Sequence, residues 1–285
     1  MISKAWGWGL GGSTLLLFCA AMTVLWTPTP LPTPTPTSTS TPWPTSTSPT
    51  LTPEITDTGW LPSAAGMERR HLLVPTDYGT EQVTVVRLAP KGFTTRVRLS
   101  PGDPHTVQAW SAATDALLTV NAGYFTQAYE PLGLVIADGV PHGTSYADFA
   151  GMFAVTAAGE MEVRWLREQP YHPNEGLRQA VQSFPVLVKP GGVMGFPEDA
   201  DDGRIARRTV VAQDSAGRVL FLIAPRGYFS LHALATWLVA SDLKIDVALN
   251  LDGGTSAGLW LAETPAAQIN SLIGVPAVIT LDPLP

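Results

Sequence analysis

An apolar run closes at Asn250-Leu251-Asp252-Gly253-Gly254-Thr255-Ser256 on an amide, a carboxylate and two glycines. A carboxylate held at the end of a buried strand can serve as nucleophile, general base or cation ligand. Glycines beside it permit positive φ and let a ligand reach main-chain N–H groups. The approach, Ile245-Asp246-Val247-Ala248-Leu249, is short and rich in β-branched residues, and it follows an apolar-periodic run over residues 231–243. The pattern reads as helix, buried strand, tight turn. Asp-Gly-Gly is also ordinary turn chemistry, so the motif does not establish a site by itself.

Three other segments add to it. Asn121-Ala122-Gly123-Tyr124-Phe125 closes a second strand-like run, residues 117–120, again with an amide before glycine. Arg207-Arg208-Thr209 leads into an alternating run over 210–214 and a hairpin signal at Ser215-Ala216-Gly217-Arg218. Residues 182–188 form an apolar strand candidate that ends at Pro190-Gly191-Gly192. Tyr124, Phe125, Tyr129 and Tyr146 have the chemistry of a sugar-stacking platform, although aromatics beside a strand end are more often core.

The elements that must position these residues are mostly strands. Residues 81–89 and 94–99 read as a strand pair across Pro90-Lys91-Gly92, residues 133–141 as a hairpin, and 152–166 as another through Ala158-Gly159. Helices are expected only at 107–118 and 230–243, the second with Ser230 as N-cap. Many strands, few helices and no regular βαβ alternation predict an α+β fold, a mixed and mostly antiparallel sheet with a few packed helices. No internal repeat or nucleotide-binding glycine motif is present.

The chain has 285 residues, 45% apolar, enough for a sizeable core, yet its first fifth does not belong to one. Between Trp6 and Trp26 only Ser13, Thr14 and Thr23 interrupt an apolar stretch of membrane-spanning length. Tryptophans at both ends suit membrane interfaces and favour an anchor; a cleaved signal peptide is the competing reading. Apart from Leu31, Trp43 and Leu51, every residue from 27 to 53 is Thr, Ser or Pro. Such a segment cannot fold by burial and reads as an extended stalk. The expected organisation is therefore 1–26 anchor or signal peptide, 27–56 stalk and 57–285 folded domain, lying outside the cytoplasm.

Composition also excludes chemistry. The single cysteine, Cys19, lies in the apolar segment, so the folded part has no disulfide, thiol nucleophile or cysteine metal site. The five histidines show no metal-ligand spacing, and His232, in the expected helix, is at most a weak general-base candidate. A net charge of −7 argues against nucleic-acid binding. The one basic cluster, Arg204, Arg207 and Arg208, suits a single phosphate. Ser256 is not in a Gly-x-Ser-x-Gly elbow, so it reads as a hydroxyl donor rather than a nucleophile.

Taken in order over residues 107–281, these motifs resemble the phosphodiester glycosidase family. Its Asn-x-Gly-x-Phe element is matched at Asn121, Gly123 and Phe125, and its Phe-Pro-x-Leu-Val element at residues 184–188. The Arg-Thr pair falls on Arg208 and Thr209, the Ser-Leu-x-x-Leu-Ala helix on 230–235, and the Asn-Leu-Asp-Gly-Gly-Gly-Ser-Ser signature on 250–257. Thr255 replaces the third glycine of that signature and Ala257 its second serine. Ala206 stands where proline is usual, and residues 271–277 lack the arginine that many members carry.

The resemblance implies hydrolysis of a sugar-1-phosphodiester to free sugar and phosphomonoester. It assigns Arg208 to the phosphate, with Thr209, Thr255, Ser256 and the amides of Gly253 and Gly254 supporting it and Gly123 lining the site. Asp252 would stabilise the developing oxocarbenium ion as nucleophile or as base for water. Asn121 and Asn250 would orient it or hold sugar hydroxyls. A phosphomonoester, with a second pKa of about 6, departs without a strong general acid if its charge is stabilised. No cofactor is required, and calcium is compatible with Asp252 and its neighbouring oxygens. The expected partners are the glycan or sugar-phosphodiester substrate and, through the N-terminal segment, a membrane. The competing readings are a noncatalytic cell-surface polysaccharide-binding module and another enzyme of exopolysaccharide metabolism.

Overall fold

The computed structural model describes residues 56–88, 93–146, 148–262 and 264–284. The anchor and stalk expected over residues 1–56 lie outside the described residues except for Thr56, whose carbonyl accepts the Leu73 N–H at 2.7 Å. Among the described residues, no helix is long and apolar enough to cross a membrane.

Three antiparallel sheets make up the described domain. The largest has eight strands in the order Leu61–Pro62, Glu68–Thr76, Gly79–Arg87, Val219–Phe229, Ala206–Asp214, Ile245–Asn250, Val186–Lys189, Val193–Met194. A second runs Val140–His142, Val135–Ala137, Gln179–Ser183, Gly151–Val155, Met161–Trp165. The third runs Gln268–Ile269, Leu259–Leu261, Leu118–Asn121, Ala277–Pro283, Phe93–Leu99. Every strand pair is antiparallel, so the expected α+β class holds without the parallel component that a mixed sheet would bring.

Strand periodicity explains the layering. In Val219–Phe229, Val219, Phe221 and Ile223 face one way and Leu220, Leu222 and Ala224 the other, and both sets are buried. The first set packs with Val120, Ile279, Phe153 and Val181 of the two smaller sheets in the main core. The second packs under the helix Leu231–Ala240, through Leu234, Ala235 and Leu238. The large sheet is thus covered on both faces, which is why residues 219–224 are apolar at every position. Truncating Phe221 or Phe153, both fully buried, would cost about 3–5 kcal/mol.

Ser230 caps the helix as expected, its hydroxyl accepting the Ala233 N–H at 3.1 Å. Three other expectations are corrected. The first helix spans only Val107–Thr114, because Asp115 turns left-handed at φ 49° and Leu118 already belongs to a strand. Residues 182–188 are two strands in different sheets, divided at a cis Phe184–Pro185 peptide. The strands over 81–89 and 94–99 do not pair: Gly79–Arg87 lies between Glu68–Thr76 and Val219–Phe229, whereas Phe93–Leu99 borders Ala277–Pro283 in another sheet.

Candidate active site

Two strand ends from different sheets meet at the motif residues. Leu118–Asn121 delivers Asn121, and Ile245–Asn250 delivers Asn250, opposite Val210 in the neighbouring strand. The chain beyond Asn250 stays against both partners: Leu251 N–H bonds the Thr209 carbonyl at 2.9 Å and Asp252 N–H the Ala122 carbonyl at 3.2 Å.

Asn121 is the strut of this junction. Fully buried, it donates through Nδ2 to the Asp252 carbonyl at 2.7 Å, and its Oδ1 accepts Thr209 Oγ1 at 2.8 Å and Gly258 N at 2.9 Å. Its side chain is committed to holding the backbone of Asp252. Thr209, also fully buried, gives its hydroxyl to Asn121, so the substrate contact expected of it is not formed by that donor. Strand alternation accounts for the difference between neighbours: Thr209 sits with Val211 on the inner face, and Arg208 with Val210 on the other. Asn121→Ala would strand the Thr209 hydroxyl and the Gly258 N–H, at a cost of about 3 kcal/mol visible in urea denaturation; a loss below about 1 kcal/mol would mean that water or a shifted backbone replaces the strut.

Gly253 and Gly254 serve different purposes. Gly254 adopts φ +57°, the left-handed turn expected of it. Gly253 does not. A Cβ there would meet the Arg207 carbonyl at 2.7 Å, so this glycine is required for close approach of the loop to the arginine strand. Its amide is spent on Asp252 Oδ1 at 2.8 Å. Gly123 is likewise a close-approach position, where a Cβ would lie 3.0 Å from the Gln182 carbonyl.

Burial dominates the electrostatics of Asp252. It pushes the carboxyl from 3.8 up to about 6, against the opposing pull of the Ser256 hydroxyl and the Gly253 amide. Arg208 is half-buried, and burial lowers its pKa, while Tyr124, Asp201 and Asp202 pull it back up. Neither Asp252 nor Arg208 forms an ion pair among the described residues. Arg208 is fixed instead by carbonyls, through Nε to Phe229 at 3.1 Å and Nη2 to Arg204 at 2.6 Å. A half-buried guanidinium held by carbonyls and lacking a carboxylate is poised for an anionic ligand.

Asn250, fully buried, donates Nδ2 towards Tyr124 Oη at 2.8 Å, Leu251 O at 2.7 Å and Phe184 O at 3.2 Å. The aromatic residues divide in two. Tyr124 packs against Phe184 and Phe149, and Tyr146 against Phe149. Phe125 and Tyr129 stack on each other, Phe125 packing against the Val107, Trp110, Val275 and Val278 cluster. The four expected platform residues therefore do not form one surface. Phe149 and Phe184 join the Tyr124 group, and only the chain reversals of the fold bring them there.

Ser256 is buried beside Asp252, and Thr255 is exposed, its carbonyl accepting Leu272 N–H at 2.8 Å. Ala257 lies within the main core, where a serine hydroxyl would need a buried partner. His232 is set apart, in a cavity of about 710 Å³ with Tyr78, Tyr228 and Trp237, its Nδ1 3.0 Å from the Phe196 carbonyl. Among the described residues, no three His, Cys, Asp or Glu side chains gather as they would around a metal ion.

Strand-end amides, a lone half-buried carboxylate and an unpaired guanidinium on a three-sheet frame agree with one family. A model described as phosphodiester glycosidase matches residues 114–278, and the chain belongs to that family. The fold is similar to the catalytic domain of zebrafish N-acetylglucosamine-1-phosphodiester alpha-N-acetylglucosaminidase, auto-inhibited by its pro-peptide. The two align at TM-score 0.61 and 17% identity over 76% of this chain and 83% of that one. A hypothetical protein from Synechocystis aligns at TM-score 0.55 and 16% identity, over 76% of this chain and 62% of that one. No curated protein sequence matches the chain.

Proposed function

We propose that the protein is an extracytoplasmic hydrolase that cleaves a sugar-1-phosphodiester to free sugar and phosphomonoester. The observation that carries this reading is the pairing of functions at one strand junction: a half-buried carboxylate with its pKa raised to about 6, and a half-buried guanidinium without a carboxylate partner among the described residues. Ordinary glycoside hydrolysis uses two carboxylates, one to protonate a poor leaving group. A phosphomonoester is a better leaving group, and a positive clamp replaces the acid.

In this reading Arg208 binds the phosphate through the N–H groups not spent on Phe229 and Arg204. Asp252 supplies the electron pair to the anomeric carbon, directly or through a water it deprotonates. Asn121 fixes the Asp252 backbone, Asn250 the Tyr124 hydroxyl, and Ser256 and Gly253 the carboxylate itself. Gly254, Thr255 and Gly123 shape the loops around it. Incubation with a panel of sugar-1-phosphodiesters tests the reading directly. Release of reducing sugar is expected; binding without release would favour a noncatalytic polysaccharide-binding module.

The family model and the described core both fall after the Thr/Ser/Pro-rich segment, which supports a catalytic domain from about residue 57; the anchor or export signal and the stalk rest on the sequence pattern alone. Arg70 bridges Asp57 and Asp242, so Asp57 belongs to the domain. A chain beginning at Asp57 should be soluble and unfold cooperatively; an aggregated or molten product would move the boundary towards the N-terminus.

A further inference from the structure

We propose that Tyr124 is a further catalytic residue, donating its O–H to the bridging oxygen of the sugar–phosphate linkage as the bond to the sugar breaks. The inference rests on the phosphodiester reading above and adds to it the group that receives the leaving oxygen.

Three observations lead to it. First, the phenol oxygen accepts a hydrogen bond from Asn250 Nδ2 at 2.8 Å. An oxygen oriented as acceptor has its own hydrogen left to give. Asn250 cannot swing away, because the same amide faces the carbonyls of Leu251 and Phe184 and its backbone N–H is bonded to Pro185 O at 3.0 Å. Second, among the described residues the Tyr124 O–H has no acceptor, and the half-buried ring is wedged against Phe184 at 4.6 Å and Phe149 at 6.0 Å between centroids. Third, the hydroxyl stands in the fields of both Asp252 and Arg208 without being bonded to either. Asn250 Nδ2 also faces the Leu251 carbonyl at 2.7 Å, one residue before Asp252, which ties the hydroxyl to the strand end that carries the carboxylate, and there we place the oxygen that joins sugar to phosphate.

The chemistry is hydrogen bonding without proton transfer. As the anomeric C–O bond breaks, its electron pair stays on the bridging oxygen, which becomes one oxygen of the phosphomonoester dianion. Asp252, or a water it deprotonates, supplies the new electron pair to carbon. Burial, reinforced by the Asp252 charge, raises the Tyr124 pKa well above the usual phenol value. A phosphomonoester with a second pKa of about 6 cannot take a proton from such a phenol, so Tyr124 keeps it. The hydroxyl acts as a preorganised donor whose hydrogen bond strengthens as charge develops.

Tyr124→Phe in the full chain is the test, since it removes one oxygen and leaves the ring packed on Phe149 and Phe184. Expected is a fall of about 10²-fold in kcat on a sugar-1-phosphodiester that the wild type cleaves. Inhibition by methyl phosphate should weaken about tenfold or more, inhibition by the free sugar should be unchanged, and the melting temperature should be near that of wild type. A kcat within twofold of wild type would overturn the inference and leave the phosphodiester reading standing. So would equal weakening of both inhibitors or a large fall in melting temperature, which would make Tyr124 a packing residue, or a failure of methyl phosphate to compete in the wild type. A wild type that releases no sugar from any diester would remove the reading and the inference together.

Discussion

Asp252→Asn should abolish turnover and at the same time make the protein more stable at neutral pH. The carboxyl has a folded-state pKa of about 6 against 3.8 for the unfolded chain, because burial outweighs the hydrogen bonds from Ser256 and Gly253. Between those values the native state holds a proton that the unfolded chain has released, so stability falls as the pH rises through the window. Above it the ionised carboxylate costs at most ~3 kcal/mol, from the two-unit difference at about 1.4 kcal/mol per unit. Asparagine keeps the volume and an oxygen to accept the Gly253 N–H, but carries no charge to desolvate. The variant should melt several degrees above wild type at pH 8 and together with it at pH 4. Its kcat should fall by more than about 10³-fold. Wild-type kcat/KM should rise with pH on an acid limb near 6, since Asp252 must be ionised to act as nucleophile or base. A variant less stable than wild type at both pH values would mark Asp252 as a structural turn residue and remove it from the chemistry.

What could be read from the sequence divides by the range of the interaction that decides it. Ser230, its helix and the strand Ile245–Asn250 are set by local chemistry, a cap and a β-branched run, and they lie where the pattern predicts. The overextended first helix is also instructive. Ala116, Leu117 and Leu118 continue its apolar period, and only the left-handed turn at Asp115 and the sheet waiting for Leu118 end it at Thr114. The strand pair assumed across Pro90-Lys91-Gly92 fails because the true partners, Glu68–Thr76 and Ala277–Pro283, lie elsewhere in the chain and have no local signal.

The site follows the same rule. Asn250 and Asp252 stand out because an amide and a carboxylate close an apolar strand, and Arg208 because a basic cluster opens one. That Thr209 is spent on Asn121 depends on strands of two sheets meeting, and that Gly253 is spent on the Asp252 carboxylate depends on main-chain geometry. Tyr124 was visible only as an aromatic beside a strand end. Its hydroxyl gains meaning from Asn250, which is distant in sequence and adjacent in the fold.

Arg208→Lys should reduce kcat/KM for a sugar-1-phosphodiester by about 10²-fold although the charge is kept. The arginine is anchored by two carbonyls, Phe229 through Nε and Arg204 through Nη2, and this leaves a fork of N–H groups on the remaining edge. A planar fork can hold two phosphate oxygens at once, whereas an ammonium on a flexible stem presents a point charge and cannot meet both carbonyls while doing so. If Arg208 were only a solvated strand-edge charge, lysine would be nearly silent; its half-buried position and the two carbonyls that fix it argue against that. The substrate supplies the control. An aryl glycoside of the same sugar, lacking phosphate, should be handled poorly by wild type and lose little further in the variant. Equal fractional losses on both substrates would show that Arg208 supports the site as a whole, through the carbonyls it ties together, and the phosphate assignment would be withdrawn.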